Sequence, residues 1–216
     1  MKTEEKKTLL LLSSLRLLIS GNLPPVLGKP FNQFKVAYVI TASKGVSDRA
    51  YFERNRNFFR EQKYNCVEVD LDEKKGKNLK SILENVELVY VEGGNSFLLL
   101  KAIRESGFEN IVKELLPQGL IYMGASAGSY IACPTIEMAT WAHQDKYNHY
   151  AVTDLTAMNL VPFLLTVHYK PEYRELLKEK ISQAVYPVKI LTDKQALLIK
   201  DGKVELIGNG EEVVLS

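Results

Sequence analysis

The feature that most constrains the fold is a buried strand that runs directly into a glycine-rich turn and then a helix. Residues 120–123 are all apolar or aromatic, as expected for a strand covered on both faces of a sheet. Residues 124–128 read Gly-Ala-Ser-Ala-Gly, which fits G-x-S-x-G, and an apolar run up to Ala132 follows. This order is typical of a nucleophile elbow, a sharp turn that exposes a serine hydroxyl, here that of Ser126, at the end of the sheet.

The same five residues also fit a simpler interpretation, in which Ser126 only caps or packs the start of a helix. The motif is short, so a catalytic interpretation needs partners elsewhere in the chain. Acyl transfer by a serine requires a base within hydrogen-bond reach, a group that orients the base, and amide donors for the oxyanion. In an open α/β sheet, such groups collect at the carboxyl ends of the strands.

Strands and helices alternate along the first 130 residues, which predicts a mostly parallel sheet with helices on both faces. The predicted strands are residues 7–13, 35–40, 66–71, 86–91, 120–123, 163–168, 188–193, 196–199 and 204–207. The predicted helices are residues 48–62, 79–85, 97–105, 111–116 and 171–184, and residues 134–150 are predicted as a loop. The predicted fold class is therefore α/β, with three layers (α/β/α) around a mostly parallel central sheet.

Length and composition favour one compact domain with a sizeable core, since the chain has 216 residues of which 46% are hydrophobic. We therefore expect a single domain over residues 1–216. The net charge is +2, from 28 basic and 26 acidic residues that are mixed along the chain. This balance gives no indication of a nucleic-acid partner or an anionic membrane partner.

The two cysteines, Cys66 and Cys133, each lie in an apolar run and form neither a metal-binding spacing nor a disulfide framework. A reducing cytoplasm is the simplest setting for such a chain. The apolar residues 8–12 briefly suggest a signal peptide, but Arg16 interrupts the stretch and no convincing cleavage site follows. We interpret them as a buried first strand, and no run approaches the roughly 18 apolar residues of a membrane span.

A glycine-rich loop follows the predicted strand 86–91. Two glycines, Gly93 and Gly94, allow backbone amides to approach a ligand closely, so that one of them could supply an oxyanion donor beside the amide of Ala127. The alternative is a tight turn into a helix that Asn95 or its neighbour caps. Taken by itself, the loop favours the tight turn.

Two further residues follow predicted strands in the last third of the chain. The sequence has three histidines, and His143 and His149 lie in a polar loop, whereas His168 ends an apolar strand, where a base should sit. Asp193 ends the strand 188–193, and its carboxylate could accept the Nδ1 hydrogen of His168 and hold its tautomer. The structural alternatives are a half-buried core histidine and a turn aspartate.

Three segments together resemble the peptidase E family. They are residues 90–97 (Tyr-Val-Glu-Gly-Gly-Asn-Ser-Phe), the elbow at 124–129, and the strand that ends on His168. These serine peptidases have a fold similar to that of class I glutamine amidotransferases (flavodoxin-like), and cyanophycinase is a relative. The resemblance runs in order from about residue 7 to the C-terminus.

The resemblance implies a role for each candidate residue. Ser126 would be the nucleophile and His168 the base, and the amides of Gly94 and Ala127 would form the oxyanion hole. The acidic member of the family is usually a glutamate that precedes a Thr-Ala-Leu segment. Here Asp193 precedes Lys-Gln-Ala-Leu, so an aspartate would take that role.

Two related enzyme classes fit less well. The α/β-hydrolases carry their triad in the order Ser, Asp, His, whereas here the order is Ser, His, Asp. Amidotransferases place a cysteine at the elbow, and Cys133 lies too far along the chain to replace Ser126. Glutamine amidotransfer is therefore not expected despite the shared fold.

The sequence departs from the family pattern after the elbow. Aspartyl dipeptidases carry Thr-Asn-Asp character there before a proline, whereas residues 138–145 read Met-Ala-Thr-Trp-Ala-His-Gln-Asp. Because this segment helps to shape the substrate pocket, the resemblance does not imply a strict preference for an N-terminal aspartate. The candidate substrate-binding residues are Gly93 and Asn95, with Trp141 or Tyr150 for an apolar substrate and Arg174 or Lys170 for an acidic one.

The sequence thus predicts a cytoplasmic serine hydrolase of the peptidase E type that cleaves small peptides through an acyl-enzyme. We expect a monomer or homodimer that requires no metal or organic cofactor and binds neither nucleic acid nor membrane. Two alternatives stay open at this point. One is a non-catalytic member of the fold that binds a small metabolite, and the other is an esterase or amidase with a non-peptide substrate.

Overall fold

The structure is a computed structural model that describes residues 7–21, 23, 25–141 and 148–215. Its strands are β1 (Thr8–Leu12), β2 (Lys35–Val39), β3 (Asn65–Val69), β4 (Leu88–Val91), β5 (Ile121–Ala125), β6 (Leu164–Thr166), β7 (Val188–Ile190), β8 (Gln195–Lys200) and β9 (Lys203–Gly208). Its α-helices are α1 (Arg16–Ile19), α2 (Ala50–Glu61), α3 (Gly76–Leu83), α4 (Ser96–Ser106), α5 (Phe108–Leu115), α6 (Ala127–Tyr130) and α7 (Arg174–Gln183).

Seven of these strands form one sheet in the order β3-β2-β4-β5-β1-β8-β9. The five strands from β3 to β1 are mutually parallel, whereas β8 runs antiparallel to β1 and continues as a hairpin into β9. Strands β6 and β7 form a separate parallel pair. The predicted mostly parallel sheet is confirmed.

The leucine run near the N-terminus forms an interior strand of this sheet, between β5 and β8. Leu9 and Leu11 belong to the apolar core on one face, and Leu10 and Leu12 belong to the core on the other. All four side chains are fully buried, because helices α3, α4, α5 and α7 cover the first face and α1 and α2 cover the second. A strand covered on both faces favours a continuous apolar run over alternation, so the prediction of a buried first strand is confirmed, and with it the three-layer architecture.

Two predicted strands end earlier than expected. The predicted strand 163–168 is only β6, and the predicted strand 188–193 is only β7. The first cannot continue through His168, because this residue has a φ of +59°, far from the extended region. Conversely, the predicted strand 120–123 continues to Ala125, since its last residues still pair with Leu11 and Leu12 of β1.

The parallel strands all end at the same edge of the sheet, and this edge carries the predicted motifs. Ser13 follows β1, Glu92 follows β4 and Ser126 follows β5, which are neighbours or next neighbours in the sheet. Among the described helices, none combines the length and the apolar character needed to cross a membrane.

The glycines of the G-x-S-x-G motif are required by close backbone contacts. A β-carbon on Gly124 would lie 2.4 Å from the carbonyl oxygen of Gly128, and one on Gly128 would lie 2.1 Å from the carbonyl oxygen of Val91. Helix α6 therefore passes directly against the ends of β4 and β5. Only residues without a side chain permit this crossing.

Replacing Gly128 by alanine should destabilise the protein through this contact alone. The backbone of Gly128 has no positive φ, so the loss, about 3 kcal/mol in the free energy of unfolding, comes from the clash with Val91. Gly76→Ala is the matched control, because Gly76 has a φ of +53° and nothing within 4 Å of the added carbon, so it should lose only about 1 kcal/mol. Urea unfolding measures both variants, and equal losses would contradict the packing argument.

Candidate active site

Ser126 has the backbone geometry of a strained turn residue. Its φ is +51° and its ψ is −113°, a region that residues with a side chain rarely adopt. The conformation is held from both sides: its N–H donates to the carbonyl of Leu12 at 3.1 Å, and its carbonyl accepts from the N–H groups of Ser129 and Tyr130. The side chain is therefore presented at the sheet edge by the backbone rather than by its own contacts.

The structure brings the three predicted catalytic residues together. His168 Nε2 lies 3.0 Å from Ser126 Oγ, and His168 Nδ1 lies 2.5 Å from Asp193 Oδ1. A carboxylate next to Nδ1 holds the hydrogen there and leaves Nε2 free to accept the serine proton. The hydrogen bond from His168 lowers the pKa of Asp193, with smaller contributions from Ser13 and Arg16, so the carboxylate is held ionised.

Residues 168 and 193 meet because β6 and β7 pair in parallel. Thr166, at the end of β6, is opposite Ile190, at the end of β7, so the loops that follow leave the same edge side by side. The N–H of Tyr169 then donates to the carbonyl of Leu191 at 3.0 Å and ties the two loops together. Neither residue belongs to the main sheet, and the pair reaches Ser126 from outside it.

Ser13 links the acid to the backbone of the base. Its hydroxyl donates to Asp193 Oδ1 at 3.1 Å and accepts from the N–H of His168 at 2.8 Å, and the residue is fully buried. This contact also explains how His168 keeps its positive φ. From the sequence, Ser13 was predicted only as the end of a strand. The available signal was a hydroxyl residue at the carboxyl end of a strand that is otherwise leucine.

The glycine loop lies against the serine. A β-carbon on Gly93 would lie 3.0 Å from Ser126 Cβ, and one on Gly94, whose φ is +142°, would lie 2.2 Å from the carbonyl oxygen of Ala42. Position 94 therefore needs glycine, and Gly93 lies in tight contact with the serine. On the other side of the serine, Ala127 is the first residue of α6, and the first amides of a helix have no acceptor within it.

Asn95 has the structural role that the alternative interpretation assigned to it. Its side chain accepts from the N–H groups of Phe97 and Leu98, both at 3.0 Å, and so caps α4. It also lines a second cavity of about 540 Å³ together with His149. His143 lies outside the described residues.

A cavity of about 350 Å³ opens beside Ser126, and two cations line it. Arg16 is the first residue of α1, and Arg54 lies on α2. Within the described part of the chain, neither guanidinium forms a salt bridge. The cavity therefore holds positive charge that is available to an anionic group of a ligand.

Three substrate-binding candidates need correction. Arg174 begins α7 and Lys170 precedes it; both are exposed, and neither lines the cavity beside Ser126. Being close to His168 in sequence did not place them there, because the chain turns away from the sheet edge into α7. Trp141 is only 7% exposed and packs in the apolar core, so its ring is enclosed rather than directed into the cavity.

The cysteines stand apart from this site. Cys133 is fully buried and Cys66 is half-buried, and neither lines the cavity. Burial raises the pKa of each thiol to about 12, so the reactive thiolate is scarce near neutral pH. Both behave as the small apolar residues that the sequence predicted.

Known proteins are similar to this chain over most of its length. A sequence model of peptidase family S51 matches residues 9–207. An uncharacterized peptidase from Pasteurella multocida (strain Pm70) is 28% identical over 178 residues, which cover 81% of this chain and 85% of that protein. Peptidase E from Nostoc sp. (strain PCC 7120) is 28% identical over 189 residues, covering 81% and 73% respectively.

A solved structure shares the fold. The crystal structure of a candidate peptidase E protein from Listeria monocytogenes EGD-e superposes with a TM-score of 0.80 and 22% identity, and the match covers 95% of this chain and 100% of that one. The strand and helix arrangement that carries Ser126 is therefore found in another protein of this type.

Removing the Ser13 hydroxyl should lower activity although Ser126 itself is unchanged, because the hydroxyl bonds to Asp193 and His168. Ser13→Ala deletes a donor to the ionised Asp193 and the acceptor for the His168 N–H, so we expect hydrolysis to fall about tenfold in kcat/KM. The loss should grow as the pH falls, because without this donor Asp193 is protonated at a higher pH. A pH series measures this, with Ser106→Ala as the control, since its buried hydroxyl likewise donates once, to the carbonyl of Ile103, and accepts from a backbone N–H, that of Phe108. A loss of the same size at every pH would contradict the argument.

Proposed function

The chain belongs to peptidase family S51, and on that premise we propose that it is a serine peptidase that cleaves small peptides through an acyl-enzyme on Ser126. One observation carries the proposal: the continuous hydrogen-bonded path from Ser126 Oγ through His168 to Asp193, with distances of 3.0 and 2.5 Å. An isolated serine hydroxyl is a poor nucleophile, and an oriented base is what activates it.

In the acylation half, Ser126 Oγ attacks the carbonyl carbon of the peptide while its proton passes to His168 Nε2. The carbon becomes tetrahedral and its oxygen takes the negative charge. Asp193 stabilises the imidazolium that forms and does not itself take up the proton. The bond from carbon to nitrogen then breaks, His168 gives its proton to the leaving amine, and an ester on Ser126 remains.

The amides of Gly94 and Ala127 are the proposed donors to the oxyanion. Ala127 follows Ser126 at the start of α6, and Gly94 follows Gly93, whose β-carbon would lie 3.0 Å from Ser126 Cβ. Donors that meet the charge only once it has formed lower the barrier without tightening substrate binding.

In the deacylation half, a water molecule attacks the ester carbon and gives a proton to His168 Nε2. The bond between carbon and Ser126 Oγ breaks, and His168 returns the proton to the serine. The products are a free amine and a free carboxylic acid. His168 thus serves as the base in both half-reactions, so the proposed mechanism needs only one histidine.

The charge of the cavity supports a substrate that carries a carboxylate. Arg16 and Arg54 line the space beside the nucleophile, and guanidinium groups match carboxylates in geometry and charge. A dipeptide supplies a carboxylate at its C-terminus, and an acidic residue supplies one in its side chain. We therefore propose short peptides over long ones as substrates, with Arg16 and Arg54 in place of the cations that the sequence suggested.

Hydrolysis of a dipeptide panel by the wild type and by Ser126→Ala tests the function. We expect turnover by the wild type and a fall of at least about 10⁴-fold in Ser126→Ala, because only the serine forms the ester intermediate. A fluorophosphonate probe should label the wild type and not the variant. Labelling without turnover of any peptide would favour the esterase or amidase alternative, and neither labelling nor turnover would favour a binding protein.

Arg54→Gln tests the carboxylate proposal. Losing one charge-assisted hydrogen bond should raise KM about tenfold for dipeptides with a free C-terminus or an acidic side chain, and much less for neutral, amidated analogues. Arg60→Gln is the control on the same helix, since Arg60 lies at the far end of α2 near Glu68. An equal rise for acidic and for neutral, amidated peptides would show that Arg54 does not bind the carboxylate.

A further inference from the structure

A buried carboxylate that the proposed chemistry does not use lies directly beneath the glycine loop. Glu92 is the residue between β4 and Gly93, and only 2% of it is exposed. Within the described chain, no lysine, arginine or histidine pairs with it. Burial raises the pKa of its carboxyl group. A buried carboxyl group is costly unless hydrogen bonds replace those that water would make.

Neutral donors supply that compensation. Glu92 Oε2 accepts from Tyr38 Oη at 2.5 Å, Glu92 Oε1 accepts from Tyr90 Oη at 3.0 Å, and Asn55 Nδ2 donates to both oxygens at 3.2 and 3.3 Å. The two tyrosine rings stack with their centroids 5.2 Å apart. The carboxylate is therefore fixed by groups from β2, β4 and α2, three elements of the rigid core.

This fixed carboxylate in turn holds the glycine loop. Glu92 Oε1 accepts from the N–H of Gly93 at 2.9 Å, and Tyr51 Oη donates to the carbonyl of Gly93 at 3.0 Å. Two residues after Gly93, the N–H of Asn95 donates to the carbonyl of Ala42 at 2.9 Å. The loop is thus held before and after Gly94.

The geometry of a trans peptide turns these contacts into an orientation. The carbonyl of Gly93 and the N–H of Gly94 belong to one planar group and point in opposite directions. Tyr51 draws the carbonyl to one side, so the N–H of Gly94 faces the other. Glu92 holds the preceding peptide plane, between residues 92 and 93, because its carboxylate accepts from the N–H of Gly93. The direction of the Gly94 N–H therefore follows from two side chains, Glu92 and Tyr51, that both bond to Gly93.

We propose that Glu92 is a positioning residue that, together with Tyr51, aims the Gly94 N–H at the oxyanion. The inference rests on the proposed function, in which Gly94 is an oxyanion donor. A donor that meets only the developing charge acts on kcat and hardly on KM. A purely structural role would instead lower stability and leave the kcat of the folded protein unchanged.

Glu92→Gln tests this with little change in shape, because the neutral amide weakens the hydrogen bonds and turns one acceptor into a donor. We expect kcat for the best dipeptide and the rate of fluorophosphonate labelling to fall about tenfold or more, with KM within about twofold. Tyr51→Phe, which changes no charge, should show the same split. Glu87→Gln is the matched control just before β4, where the carboxylate is exposed and pairs with Lys29, and it should behave as wild type.

The outcomes separate the inference from the function on which it rests. A folded Glu92→Gln protein with the kcat and labelling rate of the wild type overturns the inference and leaves the peptidase proposal intact. If Glu92→Gln does not fold, Tyr51→Phe decides in the same way. If the wild type itself neither hydrolyses peptides nor reacts with the probe, the proposed function fails, and the inference fails with it.

Discussion

The candidate site depends on the hydrogen bonds made at the carboxyl end of β1. The carbonyl of Leu12 accepts from the N–H of Ser126 at 3.1 Å and from the hydroxyl of Ser129 at 2.7 Å, and so holds the elbow. One residue later, the hydroxyl of Ser13 holds both the backbone of His168 and the carboxylate of Asp193. Strand β1 lies inside the sheet and is buried on both faces. Leu12 and Ser13 therefore hold Ser126, His168 and Asp193 in fixed positions.

Two of the residues held there have backbone conformations that would not persist alone. Ser126 and His168 both have positive φ values, +51° and +59°, although neither is a glycine. Such conformations cost free energy and occur where the surroundings determine them fully. Here the surroundings are the neighbouring strands and the backbone contacts of the two glycines of the elbow. The strain directs the two side chains at each other, which is the arrangement that proton transfer between them needs.

Charge is distributed unevenly around the serine. Behind it, Glu92 is enclosed by hydroxyl and amide donors; beside it, Asp193 is paired with His168; in front of it, Arg16 and Arg54 face an open cavity. The two carboxylates thus have hydrogen-bond partners within the protein, whereas neither guanidinium forms a salt bridge within the described chain.

The sequence by itself determined the elements whose signal is local: the buried leucine strand, the alternation of strands and helices, and the elbow with Ser126. These depend on residues within about 15 positions of one another, through periodicity and close backbone contact. Candidates for base and acid also followed from the ends of apolar strands, with the resemblance to a known family to support them.

Only the tertiary structure decided which groups meet. Ser13 lies 155 residues from His168 and 180 from Asp193, and it reaches them only because β1 is placed between β5 and β8. The cavity cations are likewise Arg16 and Arg54 rather than Arg174, because the direction in which each helix leaves the sheet edge is set by packing, and no local pattern encodes it.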